Sequence, residues 1–270
     1  MSLARKASVC VIALLFVVAS AALAAADYRE DFTKTVALKA GGTFSLENVN
    51  GQVRVTTWKG DQVEIKAVKI AKKNEKDLKE VEILVEASGD RVAVKAVWPK
   101  FPRNVNVSVD FDVRVPEGVH IDEAGTVNGS VEVTGRYGRL IAGTTNGQVR
   151  VQDASGDLEA STTNGGVTVR AFAGRVRART TNGNVRLEGL TFKDGVEAKT
   201  TNGSIRLEIA SPESLNAELM ARTTNGSISV DFPVTLQNLR QSRRVVEARI
   251  GQGGPEISLR TTNGSITIGR

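Results

Sequence analysis

The stretch RTTNGNVRL, Arg179–Leu187, decides how this chain is read, because near-copies of it recur. They are GTTNGQVRV (Gly143–Val151), STTNGGVTV (Ser161–Val169), KTTNGSIRL (Lys199–Leu207), RTTNGSISV (Arg222–Val230) and RTTNGSITI (Arg260–Ile268). The Asn-Gly pairs begin at Asn128, Asn146, Asn164, Asn182, Asn202, Asn225 and Asn263, at intervals of 18, 18, 18, 20, 23 and 38, with an earlier outlier at Asn50. A fixed period that grows slightly is the signature of stacked repeats, with extra residues bulging from one corner. Within a repeat the alternation has period two. Val176, Ala178 and Thr180 alternate with Arg177, Arg179 and Thr181, and beyond the turn Val185 and Leu187 flank Arg186. Strands with one buried face read this way, and Asn182 and its equivalents fall in phase with the buried set.

Asn-Gly is a strong signal for a two-residue hairpin, so an antiparallel meander fits the strand–turn–strand unit. A meander does not need each hairpin to copy the last. A parallel β-solenoid favours copying, because equivalent residues stack about 4.8 Å apart. There the corner asparagines can hydrogen-bond in a ladder, and glycine supplies the positive φ that turns the chain. The expected fold is therefore all-β: a parallel, single-stranded β-helix-like solenoid with rungs of about 18 residues, right-handed by the general preference of parallel crossovers. The last interval is close to two rungs, which makes Val245–Gly254 a candidate degenerate rung. The chain stops just after its last corner, which suggests an open edge able to self-associate.

Residues 1–26 read as a secretory signal peptide and are set apart from the fold: Arg5 and Lys6 precede the apolar run Val9–Val18, with Ala-x-Ala cleavage sites after Ala24 or Ala26. Cys10, the only cysteine, lies too early for lipidation, and its removal leaves no thiol or disulfide chemistry. No later stretch approaches the ~20 apolar residues that cross a bilayer. Residues 27–124 form an irregular β-rich cap region and 125–270 the regular solenoid. In the cap, Asn74 is a helix N-cap for a short helix to Val81, a hairpin turns at Gly89-Asp90, a strand ends at Pro116, and EGVHIDEAG (Glu117–Gly125) is a linker. The repeat half carries 18 basic and 13 acidic residues, against 16 and 17 in residues 27–124. Its mild excess of positive charge favours an anionic partner.

The order of the blocks FSLENVNGQVRVTTWKGDQVEIKA (Phe44–Ala67), VDFDVRVPEGVHI (Val109–Ile121) and the TTNG units resembles the DUF4097 family of bacterial adhesin-like repeat proteins. The resemblance runs through nearly the whole chain after residue 26. It implies a β-solenoid fold and a cell-surface or envelope role, and carries no catalytic residue set.

No convergent acid, base or nucleophile is legible, so no catalytic residue, metal site or cofactor is expected. His120 stands alone in the linker, and Asp110 and Asp112 alternate on one strand face as solvated residues would. A carbohydrate-active enzyme on a β-helix scaffold remains the alternative, and would need those carboxylates in a groove. The residue before each Thr-Thr forms a column reading Gly143, Ser161, Arg179, Lys199, Arg222, Arg260, and Arg150, Arg186 and Arg206 project from the other arm. These basic columns either cover strand surface with their stems and keep the stack soluble, or form a binding strip for an anionic polymer such as a polysaccharide. Nucleic acid is not expected, since aromatics amount to 4% and none interleave for base stacking. Thr145, Thr163, Thr181, Thr201, Thr224 and Thr262 form a second outward file, too narrow and too flanked by charge for an ice-binding plane. The reading is a non-enzymatic exported protein (periplasmic, cell-surface or secreted) that acts as an adhesin or scaffold. A purely structural periplasmic module that binds an envelope protein through its open end is a further alternative.

Overall fold

The computed structural model describes residues 27–99, 105–191, 194–209, 214–231 and 236–269; the export signal read in residues 1–26 lies outside them. The alternation in the sequence builds a two-armed stack. One strand, the leading arm, runs into each Asn-Gly corner, and a trailing arm leaves it. Leading arms are Thr43–Glu47, His120–Asn128, the second halves of Val131–Asn146 and Val149–Asn164, Val176–Asn182, Val196–Asn202, Ala217–Asn225 and Glu256–Asn263. Equivalent arms pair in parallel and in register, for example Val176↔Val196, Asn182↔Asn202 and Val185↔Ile205. The antiparallel meander is thereby excluded for the repeats.

Inward side chains grade in size toward the corner. Leu140, Leu158, Val176 and Val196 lie farthest from it, then Ala142, Ala160, Ala178 and Ala198, then the first threonine of each Thr-Thr, all buried. From the trailing arms Val149, Val167, Val185 and Ile205 close the core. Two sheets that converge at a sharp corner leave room only for small residues beside it, which is why alanine recurs there. Each buried Val or Leu contributes roughly 1.5–3 kcal/mol, so the stack is held by many small, repeated terms.

The stack begins earlier than residue 125. Asn50 bridges Asn128, Thr43–Glu47 pairs with His120–Gly125, and Val53–Thr56 pairs with Val131–Thr134. Hydrogen bonding thus runs unbroken across residue 125, and the expected linker Glu117–Gly125 is largely a leading arm, its strand starting at His120. The covering layer is antiparallel within itself, although Val107–Pro116 and Arg91–Val97 join the stack in parallel. Tyr28–Ala37, Gln62–Ala71 and Val107–Pro116 extend the trailing-arm sheet. Glu82–Ser88 and Arg91–Val97 form the expected hairpin beside Thr43–Glu47. A 3₁₀ helix, Glu75–Glu80, plugs the end with Leu78 and Val81 buried; Asn74 caps it by accepting from the Lys76 N–H.

The far end departs from the sequence reading. The last rung does not follow the Asn225 rung but lies inside it. Val196–Asn202 pairs with Ile257–Asn263, which in turn pairs with Leu219–Asn225. The trailing strand Ile266–Gly269 is likewise flanked by Ile205–Glu208 and Ile228–Asp231. The C-terminal strand is therefore interior, not the open edge that the chain's end suggested. Val245–Ile250 is no degenerate rung either: it runs antiparallel to Ala217–Arg222, and Leu236–Gln241 runs antiparallel to it. This end plate is the path by which the chain returns to insert its last rung. Alternation in VVEARI fixes which side chains face in but is the same for parallel and antiparallel pairing.

Candidate interaction surface

The corners come first, since they position everything outward. Each corner asparagine donates its amide N–H to the side-chain oxygen of the one before it in the stack. The bonds are Asn128 to Asn50 2.8 Å, Asn146 to Asn128 2.8 Å, Asn164 to Asn146 2.9 Å, Asn182 to Asn164 2.8 Å, Asn202 to Asn182 2.8 Å, Asn263 to Asn202 2.7 Å and Asn225 to Asn263 2.8 Å. The ladder exists as expected, but Asn128 and the six asparagines stacked beyond it are exposed rather than buried. The phase breaks at the corner. The buried polar group is the first threonine, whose hydroxyl donates to the glycine carbonyl of the preceding rung: Thr180 to Gly165 at 2.9 Å, Thr200 to Gly183 at 2.9 Å, Thr261 to Gly203 at 2.8 Å. That bond satisfies a hydroxyl that burial would otherwise penalise.

The corner glycine is needed for space as well as for handedness. A Cβ on Gly165 would meet the Gly147 carbonyl oxygen at 1.8 Å, and one on Gly183 the Gly165 oxygen at 1.8 Å. Gly165 itself sits at φ 156°, a conformation that residues with a side chain rarely adopt. The expected positive φ is thus present at Gly129, Gly165 and Gly264, and the close approach of the neighbouring rung's backbone excludes a side chain as well.

Registered in this way, outward side chains form straight files. On the trailing arms Arg150 lies 3.3 Å from Glu132, Arg186 3.5 Å from Glu188 and Arg206 2.6 Å from Glu208. All the arginines expected to project from that arm are thus neutralised. On the leading arms Arg179 lies between Glu159 at 3.5 Å and Glu197 at 3.0 Å, and Arg222 is 3.5 Å from Glu247. Burial raises the Glu197 carboxyl, but Arg179 and Arg177 more than offset it and hold the group below the usual carboxylate value. Lys199 and Arg260 are adjacent in register and have no carboxylate partner among the described residues; Arg260 points to the Met220 sulfur at 3.5 Å. The basic file seen in the sequence reduces to this pair.

The candidate catalytic groups are accounted for by structure. Asp110 accepts the Gln52 backbone N–H at 2.8 Å, Asp112 lies 3.9 Å from Arg54, and the His120 ring covers Gly138. Among the described residues no cluster of His, Cys, Asp or Glu could hold a metal ion, and no helix is long and apolar enough to cross a membrane.

What the sequence reading passed over is a groove of about 620 Å³ on the leading-arm face. Its floor is Gly125, Gly143 and Ser161, between a ridge of Val127 and Thr145 and one of Glu123 and Ile141. Glu47, Asp122 and Glu123 ring one end; Lys95 is there too, bonded to Glu47 at 2.5 Å. Burial and the nearby Glu47 push the Glu123 carboxyl up. The signal was present in the Gly143–Ser161–Arg179 file, of which only the basic part was weighed.

A family model described as Toastrack DUF4097 matches residues 33–269. No curated protein sequence matches the chain. Solved structures similar to it include a "putative cell adhesion protein" from Clostridium sporogenes, at 13% identity and TM-score 0.37, covering 89% of this chain and 99% of that one. A "putative adhesin" from Bacteroides fragilis has 13% identity and TM-score 0.41, covering 89% and 96%. A "putative lipid binding protein" from Parabacteroides distasonis has 12% identity and TM-score 0.36, covering 88% and 96%. Likenesses this distant carry no argument about a ligand for this chain.

Proposed function

The chain belongs to the Toastrack DUF4097 family, and from that premise we propose that it is an exported, non-enzymatic adhesin or scaffold of the cell envelope. Its working surface is the outward face of the leading arms. One observation carries this reading: the asparagine ladder locks each outward file at one side chain per rung, which gives a stiff, repetitive contact surface. Such surfaces suit extended partners better than small substrates. The carboxylates that a carbohydrate-cleaving alternative would use are engaged by Gln52 and Arg54.

A second reading, binding of an anionic polysaccharide, draws on Lys199 and Arg260, the cations of the leading-arm file without a carboxylate partner among the described residues. One experiment separates the readings: capture of envelope components by the chain from Asp27 onward, at low and at high salt. A protein retained at both supports the adhesin or scaffold reading. A polysaccharide released by salt, and lost with Lys199→Gln and Arg260→Gln together, supports the second. Capture of nothing, alongside hydrolysis of a glycan abolished by Asp110→Asn, would sink both.

A further inference from the structure

The leading-arm file has an unusual order once the inserted last rung is taken into account. In space it runs Gly125, Gly143, Ser161, Arg179, Lys199, Arg260, Arg222. Three positions without a long side chain are followed, beyond a central arginine, by three long basic ones. Chain order alone hides this, because Arg222 precedes Arg260 in sequence.

The fold does not require glycine at 143, whereas Gly125 follows a register shift in its own strand between Ile121 and Ala124. Neither has a left-handed φ. A Cβ on Gly143 would meet only Ser161, its hydroxyl at 3.4 Å and its carbonyl oxygen at 3.6 Å, while one on Gly125 would press on the Glu123 side chain from 2.9 Å. Glycine inside a strand costs about 0.5–1 kcal/mol relative to alanine, and where neither packing nor a bulge explains it, as at Gly143, it suits the close approach of another backbone or ligand. The groove over these glycines is acidic on balance, since Glu47, Asp122 and Glu123 at its end outnumber Lys95, which is bonded to Glu47. The opposite half of the same file is long and carries net positive charge on Lys199 and Arg260, with Arg222 beside them already 3.5 Å from Glu247.

We propose that the leading-arm face binds a second copy of this chain, with the two stacks antiparallel about a two-fold axis that runs along the strand of Arg179. This rests on the reading of that face as the contact surface and names its partner. The axis superposes the file on itself in reverse. Arg222 then lies over the partner's Gly125 and its acidic surroundings, Arg260 over the partner's Gly143, and Lys199 over the partner's Ser161. Arg179 meets its own copy, with its charge already balanced by Glu159 and Glu197. Self-complementarity of this kind is what an isologous interface demands. The file spans about 29 Å at ~4.8 Å per rung. With a face about 20 Å wide, each copy buries roughly 600 Å², somewhat under the ~800 Å² of a standard interface. The association is therefore weak, with a dissociation constant on the order of micromolar.

The test is sedimentation of the chain from Asp27 onward across micromolar concentrations, with Gly143→Arg as the disrupting variant. Gly143→Arg has room to fold, fills the groove and sets like charges against the partner's Arg260. The expected results are a concentration-dependent dimer, weakened by salt, and at least about a tenfold loss of affinity in Gly143→Arg with unchanged circular dichroism and Tm. Geometry is read separately. Cys10 is the only cysteine of the whole chain, so Thr181→Cys, Thr163→Cys and Thr145→Cys each give one spin label. Distances between copies should be shortest at 181 and lengthen by two rung spacings, about 10 Å along the stack, at each step. A monomer at every concentration, a dimer indifferent to Gly143→Arg, or labels at 145 closer than those at 181 would each overturn the proposal. If the chain is monomeric yet Gly143→Arg abolishes envelope capture, the face stands as a contact surface and the second copy falls. If Gly143→Arg weakens the dimer and leaves capture intact, the second copy stands and the envelope contact lies elsewhere.

Discussion

The two edges of the stack obey different rules. At the corner edge every rung repeats the same atoms: glycine N–H to asparagine carbonyl at 3.0 Å from Gly129 through Gly183, with the side-chain ladder beside it. At the opposite edge the bends vary. Gly156 and Gly174 stack as tightly as the corners, a Cβ on Gly174 meeting the Gly156 oxygen at 2.1 Å. One rung after Gly174 the bend is longer: Val176 pairs with Val196, twenty residues on, and Gly195 lies at φ 89°, where a Cβ would have its nearest backbone atom at 3.2 Å. What does repeat there is a left-handed residue just past the trailing arm, Asp153 at φ 48°, Ala171 at φ 46° and Gly189 at φ 62° in successive rungs. Intervals of 20 and 23 are accommodated at this second edge, and the 38-residue interval adds the antiparallel end plate. One edge sets register; the other absorbs length.

Mutations should split along that line. Gly165→Ala, at the corner, forces the Gly147 carbonyl away and should cost about 3 kcal/mol or more, whereas Gly189→Ala should cost only the left-handed penalty of about 1–2 kcal/mol. Chemical denaturation of the two variants measures the contrast, and equal losses would break it. Next in size, Thr180→Val removes the buried bond to the Gly165 carbonyl and should lose about 1–2 kcal/mol. Thr181→Val, on the exposed file, should lose almost nothing.

The smallest effect concerns two carboxylates of the leading-arm face. Glu197 has a lowered pKa, so its stabilisation is present at neutral pH and is lost as pH falls through the folded value. Glu123 has a raised pKa, so its charge opposes folding at neutral pH, and that opposition lifts as pH falls. Glu197→Gln should therefore lower Tm at neutral pH by the equivalent of a few tenths of a kcal/mol and converge with wild type in acid. Glu123→Gln should leave Tm unchanged or raise it. Melting curves across pH that show the same sign for both would contradict the assignment.

Much of this was legible in the sequence. Periodicity exposed the rungs, the buried face and the ladder because each repeats, and a repeated error would be visible. The corner's burial was misread at Asn182 because the chain leaves strand geometry there, and period-two phasing does not carry through a bend. The insertion of Glu256–Asn263 between earlier rungs was not legible: stacking order depends on which end plate the chain can reach, and alternation is blind to it. The groove at Gly125 and Gly143 was half visible, as a column whose small members carry no charge to catch the eye.

The central claim is that the corners are architecture and the leading-arm face is the working surface. Tm and envelope capture, measured side by side for Gly143→Arg and Asn182→Ala, test it most directly. The account predicts that Gly143→Arg keeps its Tm and loses capture, whereas Asn182→Ala, which removes one donated and one accepted ladder bond, loses about 1 kcal/mol of stability and keeps capture. The reverse pattern, with capture lost at the corner and retained on the face, would contradict it.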